Sequence, residues 1–239
     1  MKTIKFIKKI IFKIIFFVPN YILELWLFET RSFLGRTFTG TLRTDSSGNN
    51  LINLGCGPTI LKDFINIDFF FSPGIDYGAD FRYPLRINNE SINGIFSEHT
   101  LEHLTYDQND KLLKECYRIM RPGTSIRIVV PDVSLFVNNY AAKNDAWFEK
   151  LEDVMFTHNE NPERRNRRYI SRMETISFVT QEHLHLSSWD FDTMAYFLQK
   201  NNFREIRKVD FGIGSQKSIL ADTDDPGRKF ISLYVEGIK

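Results

Sequence analysis

The residues able to do chemistry fall into a few clusters, and the first is a glycine turn. Asn53-Leu54-Gly55-Cys56-Gly57-Pro58 closes a short apolar run that begins at Leu51. Glycines at the end of a strand let the backbone turn sharply and approach a ligand with no Cβ in the way. In doubly wound sheets nucleotide-like ligands sit at this end of the first strand. A dinucleotide turn would need a third glycine where Ile60 stands, and an acid about 20 residues further on, whereas Asp68 is nearer. A phosphate-free adenosine ligand therefore suits the segment better than NAD, and a plain tight turn would use the same residues.

The second cluster, His99-Thr100-Leu101-Glu102-His103, spells H-x-x-E-H. On a helix that pattern puts two zinc-binding imidazoles one turn apart. No partner motif supplies a third ligand at a family spacing, so no metal is expected. Glu102 and His103 read instead as helix residues, one packing and one capping or solvated. His183-Leu184-His185 has strand spacing, which turns both imidazoles to one side. That side is read as facing substrate, with simple burial as the alternative. Asp132 follows the buried run Ser125 to Val130 and is either a base or the cap of the helix that follows. Arg164, Arg165, Arg167, Arg168 and Arg172 crowd one stretch. They form either a solvated run or a site for an anionic substrate or lipid head group.

These residues need a scaffold, and the hydrophobic pattern supplies one. Apolar runs at Leu51 to Gly55, Phe64 to Asp68, Ile75 to Ala79, Ile92 to Ser97, Ser125 to Val130, Ile206 to Phe211 and Phe230 to Glu236 read as strands. Helical patterns lie between them, notably up to Met120 and over Phe191 to Asn201. Alternation of this kind predicts an α/β fold, a Rossmann-like doubly wound and mainly parallel sheet of about seven strands. Only Pro58 to Asp63 separates the turn from the second strand, so the first helix must be a stub or missing. The expected organisation is a basic amphipathic helical arm and linker over residues 1–50, then one domain over 51–239 with a helical insertion at about 133–188.

The chain has 239 residues, a net charge of +1 and two cysteines. The balanced charge gives no reason to expect nucleic acid as a partner. Cysteines confined to a glycine turn and a helix fit a reducing, cytoplasmic setting. Lys2, Lys5, Lys8, Lys9 and Lys13 lie among Ile and Phe with no acid before Val18. Lys13 and Pro19 leave no run long enough to span a bilayer, which takes about 20 apolar residues. Residues 1–30 therefore read as a helix lying on an anionic membrane surface, on the inner face of the cytoplasmic membrane, or packed on the domain.

Taken together, LINLGCGP, INID, DYGADFRYPL, SINGIFSEHTLEHL, IMRPGTSIRIVVPD, HLHLSSWDFDTMAYFLQKNNF and SLYVEGIK occur in an order that resembles the class I S-adenosylmethionine-dependent methyltransferases. More narrowly, the chain resembles the small methyltransferases of bacterial polysaccharide and lipopolysaccharide gene clusters. The resemblance implies S-adenosyl-L-methionine as cofactor. Gly55 and Gly57, with Asn53 and Cys56 beside them, would flank its methionine part and Asp68 its ribose. Asp80 and Phe81 would border the adenine, and Ser97 to His99 the floor. The wider class usually has an acid where Asn53 stands.

It further implies methyl transfer to a hydroxyl of a sugar or a lipid-linked glycan precursor, a small-molecule or lipid-linked acceptor in either case. His99 is then the first choice of base, with Asp132 and His185 as the others. A non-catalytic adenosine-ligand-binding scaffold in a membrane-associated glycan assembly complex would keep the turn and Asp68 without needing a base.

Overall fold

The computed structural model describes residues 20–45, 48–157 and 168–239. Helix α1 (Asn20–Phe38) comes first. Strands β1 (Leu51–Leu54), β2 (Ile65–Asp68), β3 (Tyr77–Gly78) and β4 (Gly94–Glu98) follow, then helix α2 (Tyr106–Ile119) and strand β5 (Ser125–Pro131). Helices α3 (Val133–Ala141), α4 (Asp145–Glu152) and α5 (Arg172–Gln181) follow β5. The chain closes with α6 (Phe191–Lys200), β6 (Arg204–Val209), the short helix α7 (Pro226–Ile231) and β7 (Ser232–Ile238).

The strands form one seven-stranded sheet in the order β3-β2-β1-β4-β5-β7-β6. The first five pair in parallel, whereas β7 runs antiparallel to both β5 and β6. This is the Rossmann-like α/β architecture expected from the alternating pattern. Strand order reverses between β1 and β4, and the crevice beyond the carboxyl ends of those two strands is where such sheets bind ligands. Gly55 leaves β1 at that crevice and His99 leaves β4 beside it.

Strands β1 and β5 are buried throughout and β4 nearly so, which explains why they read as continuous apolar runs. No helix lies between β1 and β2, as their spacing requires. The two asparagines of these strands hold the short crossover instead. Asn66 Nδ2 donates to Leu61 O and Phe64 O, while its Oδ1 accepts from Leu61 N and from Asn53 Nδ2. Two expected elements differ. The third strand shrinks to Tyr77–Gly78. The His183–His185 strand is a 3₁₀ turn in which His183 and Leu184 have φ of 61° and 64°.

Part of the expected arm belongs to the domain. Ser32 in α1 is fully buried and its Oγ donates to Asp80 Oδ2 at 2.5 Å. Arg82 bridges Glu29 and Asp80 with contacts of 2.6 and 2.7 Å. Phe28 stacks on Phe69 with ring centroids 4.2 Å apart. Tyr21, Leu25, Trp26, Leu27, Phe33 and Phe38 of the same helix remain exposed. Residues 1–19, which carry the lysines, lie outside the described residues. Among the described residues no helix is long and apolar enough to cross a membrane.

Candidate functional site

Gly55 has φ +75° and its backbone N–H donates to Ile67 O at 2.8 Å, so the turn folds back on β2. A Cβ there would lie 2.2 Å from the Thr100 side chain, which makes the absence of one a packing requirement. Gly57, at φ +51°, faces open space and its N–H donates to Asp68 Oδ2 at 2.6 Å. Asp68 Oδ1 accepts from Phe69 N, also at 2.6 Å, so the half-buried carboxylate is held at the end of β2 by two backbone donors. A cleft of about 80 Å³ runs along this turn, walled by Gly55 to Thr59, Phe96, Glu98, His99 and Arg228. The open side of Gly57 and the fixed Asp68 carboxylate suit the methionine and ribose parts of S-adenosylmethionine.

Other residues expected to touch the cofactor have structural duties. Asn53 borders the cleft, but its amide donates to Thr59 O and Asn66 Oδ1 and so holds the crossover. Ser97 is buried and its Oγ donates to Leu54 O, tying β4 to β1. Cys56 is buried along the cleft wall, and desolvation, with the nearby Asp68 carboxylate, pushes its thiol up to about 11. Asp80 is buried against Ser32 and Arg82, and these partners outweigh desolvation to hold its carboxyl below the usual range. It is an internal ion-pair partner that anchors α1. Phe81 is half-buried and packs on the main core.

His99 stands at the junction of two spaces. It lines the cleft by the glycine turn and also a larger cavity of about 410 Å³ bounded by Pro131, Met155, Phe178, His183, His185 and Ile231. Its φ of +50° is uncommon for a residue with a side chain, and such strain persists where the surroundings over-determine it. Here Nε2 bonds Ser232 Oγ at 3.0 Å and Nδ1 lies 3.2 Å from Glu102 Oε1. Asp132 does not share this position. It is 1% exposed, caps α3 through Ser134 and pairs with Lys208 Nζ at 3.0 Å, so the cap reading replaces the base reading. His185 lines the larger cavity, and its Nδ1 sits 2.9 Å from Val179 O.

The structure also identifies residues the sequence did not single out. Arg228 borders both spaces and its Nη1 donates to Glu98 Oε2 at 2.6 Å. Glu98 accepts from Thr223 as well, which pins the loop before α7 over the end of β4. Of Glu102 and His103, which the sequence did single out as one packing and one capping or solvated, Glu102 is the buried one at 1% exposure and His103 is exposed. Of the crowded arginines, Arg168 and Arg172 pair with Glu152 and Asp145 of α4, while Arg164, Arg165 and Arg167 lie outside the described residues.

Residues 75–128 match a family profile described as a methyltransferase domain. Comparison with curated proteins gives no match. Among solved structures, the chain is similar to a SAM-dependent methyltransferase from Archaeoglobus fulgidus. The two are 14% identical with a TM-score of 0.47, over 81% of this chain and 87% of that one. A SAM-dependent methyltransferase from Thermotoga maritima, described as a possible histamine N-methyltransferase, is 15% identical with a TM-score of 0.45, over 92% and 95% of the two chains. The domain match, lying on a sheet whose crevice suits the cofactor, supports an S-adenosylmethionine-dependent methyltransferase.

Proposed function

We propose that this chain methylates a hydroxyl of a sugar or lipid-linked glycan precursor, with His99 as the base. The observation that carries the reading is the position of His99 between the glycine-turn cleft and the 410 Å³ cavity. When bound, S-adenosylmethionine supplies an electrophilic methyl group on a sulfonium. The protein's share is alignment, exclusion of water and removal of the acceptor's proton. In this reading Nε2 of His99, 3.0 Å from the Ser232 hydroxyl, takes that proton. The sugar class rests on the resemblance to polysaccharide-cluster methyltransferases, and the mixed apolar and imidazole walls of the cavity are compatible with it.

The reading includes a membrane. Exposed Trp26, Leu27 and Phe33 on α1 continue the lysine-rich, apolar segment before it, a combination suited to the inner surface of an anionic bilayer. A scaffold that binds the cofactor without reacting is the second reading, favoured by the use of Asn53 for the crossover where the wider class has an acid.

The test is transfer of radiolabelled methyl to lipid-linked and free glycans under single-turnover conditions. His99→Ala should slow transfer at least about 100-fold, with cofactor affinity within a few-fold of wild type. Cofactor binding with no transfer to any glycan would favour the scaffold. An unchanged rate in His99→Ala would remove His99 from the chemistry.

A further inference from the structure

We infer that Glu102, His103 and His185 form a binding site for a divalent transition-metal ion of the zinc type. One ligand atom from each residue lies within 4.8 Å of the others. Two imidazoles and a carboxylate are the donor set of many zinc sites with an open position. Bonds of about 2.0–2.1 Å in a tetrahedral site put ligand atoms roughly 3.4 Å apart, so no pair need close by more than about 1.4 Å. His103 is exposed, and its ring meets that of His185 edge-on with centroids 5.0 Å apart.

The independent observation is the state of Glu102. Its side chain is buried, and neither carboxylate oxygen has a hydrogen-bond partner. The 3.2 Å approach of His99 Nδ1 is an ion-pair distance without hydrogen-bond alignment. Burying a carboxylate whose oxygens accept no hydrogen bond is costly, and proteins resolve the cost by pairing it or by coordinating a metal. His185 adds a second sign. With Nδ1 donating to Val179 O at 2.9 Å, Nε2 keeps its lone pair. A backbone carbonyl fixing the tautomer of an imidazole in this way is the usual support of a metal-binding histidine.

The third ligand comes from 82 residues beyond His103, which is why no ligand spacing is visible in the sequence. The H-x-x-E-H pattern itself is not used as a metalloprotease uses it. His99 lies outside the 3₁₀ turn Leu101–His103, with φ +50°, and bonds Ser232 instead of sharing a helix face with His103. The ion would join the loop after β4 to the strained turn at His183 and Leu184. Two backbone bonds already link those segments, from Leu186 N and Ser187 N to Glu102 O. It would thereby fix the wall of the larger cavity that His185 forms. The inference rests on these side chains and does not depend on the methyl-transfer reading.

The full-length chain, stripped with a chelator, is titrated with Zn²⁺ by calorimetry and with Co²⁺ by visible absorption. One ion should bind per chain, and Zn²⁺ should raise the melting temperature. Glu102→Gln and His185→Gln, both close in shape to the native residues, should each weaken binding at least about 100-fold, since even outer partners of a metal cost 10–100-fold. His183→Gln, outside the trio, should bind as wild type does. Absence of binding to wild type, undiminished affinity in both ligand variants, or an equal loss in His183→Gln would overturn the inference. Methyl transfer measured on the metal-free and metal-loaded chain reports separately on the functional reading.

Discussion

A carboxylate's duty is decided by what surrounds it, and Asp132, Glu102 and Asp80 show three outcomes in one chain. Asp132 sits at a strand end, where a base could stand, yet its oxygens are spent on Ser134 and Lys208. Asp132→Ala should therefore lower stability by about 1–2 kcal/mol, the usual worth of a helix cap, and leave methyl transfer near the wild-type rate. Urea denaturation paired with single-turnover transfer checks this. A stable variant slowed 100-fold would restore Asp132 as the base. The glycine turn and Asp68 were legible because glycine and a strand-end acid carry their meaning in residue type and spacing. For Glu102 and His103 the pattern implied one packing residue without saying which, because that choice depends on a 3₁₀ turn the pattern read as helix. Arg228 was not legible, since its partner Glu98 lies 130 residues away.

Elements with a clean period declared themselves: β1, β4 and β5 as apolar runs, and α6 by its helical spacing. The missing first helix was legible too, from the spacing alone. The insertion was visible only as a helical region, and the His183–His185 segment was misread, because two residues with positive φ break an alternation that looks like a strand. Helix α1 lies in the arm read as resting on a membrane or packed on the domain, and Ser32 and Glu29 give it an internal face. Removing residues 1–30 would delete Glu29 and leave Arg82 and Asp80 without that partner. A truncation that begins at residue 20 keeps the tie. That shorter chain should fold with the full-length melting temperature and sediment less with anionic vesicles, each lost lysine being worth about 1 kcal/mol near such a surface. Full vesicle binding by the truncated chain would place membrane contact on α1 or elsewhere in residues 20–239 and not on the lysines.

Across the molecule the sheet is stitched at its antiparallel end by a charge inside the core. Arg127 on β5 is fully buried and meets Asp222 at 2.5 Å and Glu236 of β7 at 3.0 Å. Sequence reading took Ser125 to Val130 for a buried strand and gave this arginine no partner. Arg127→Met should cost about 3–5 kcal/mol, because two carboxylates would stay buried with their guanidinium gone. Chemical denaturation measures it, and a loss below 1 kcal/mol would mean the acids find other partners. The helix-free crossover has an electrostatic consequence as well. A helix starting after Gly57 would aim the positive end of its dipole at any anion above the turn, a fixed field that needs no side chain. Here that contribution is missing, and the guanidinium lining the cleft is Arg228. Attraction for a carboxylate in this cleft thus comes from a side chain shared with Glu98, so it depends on how that ion pair and the pinned loop before α7 hold the guanidinium, which a dipole would not.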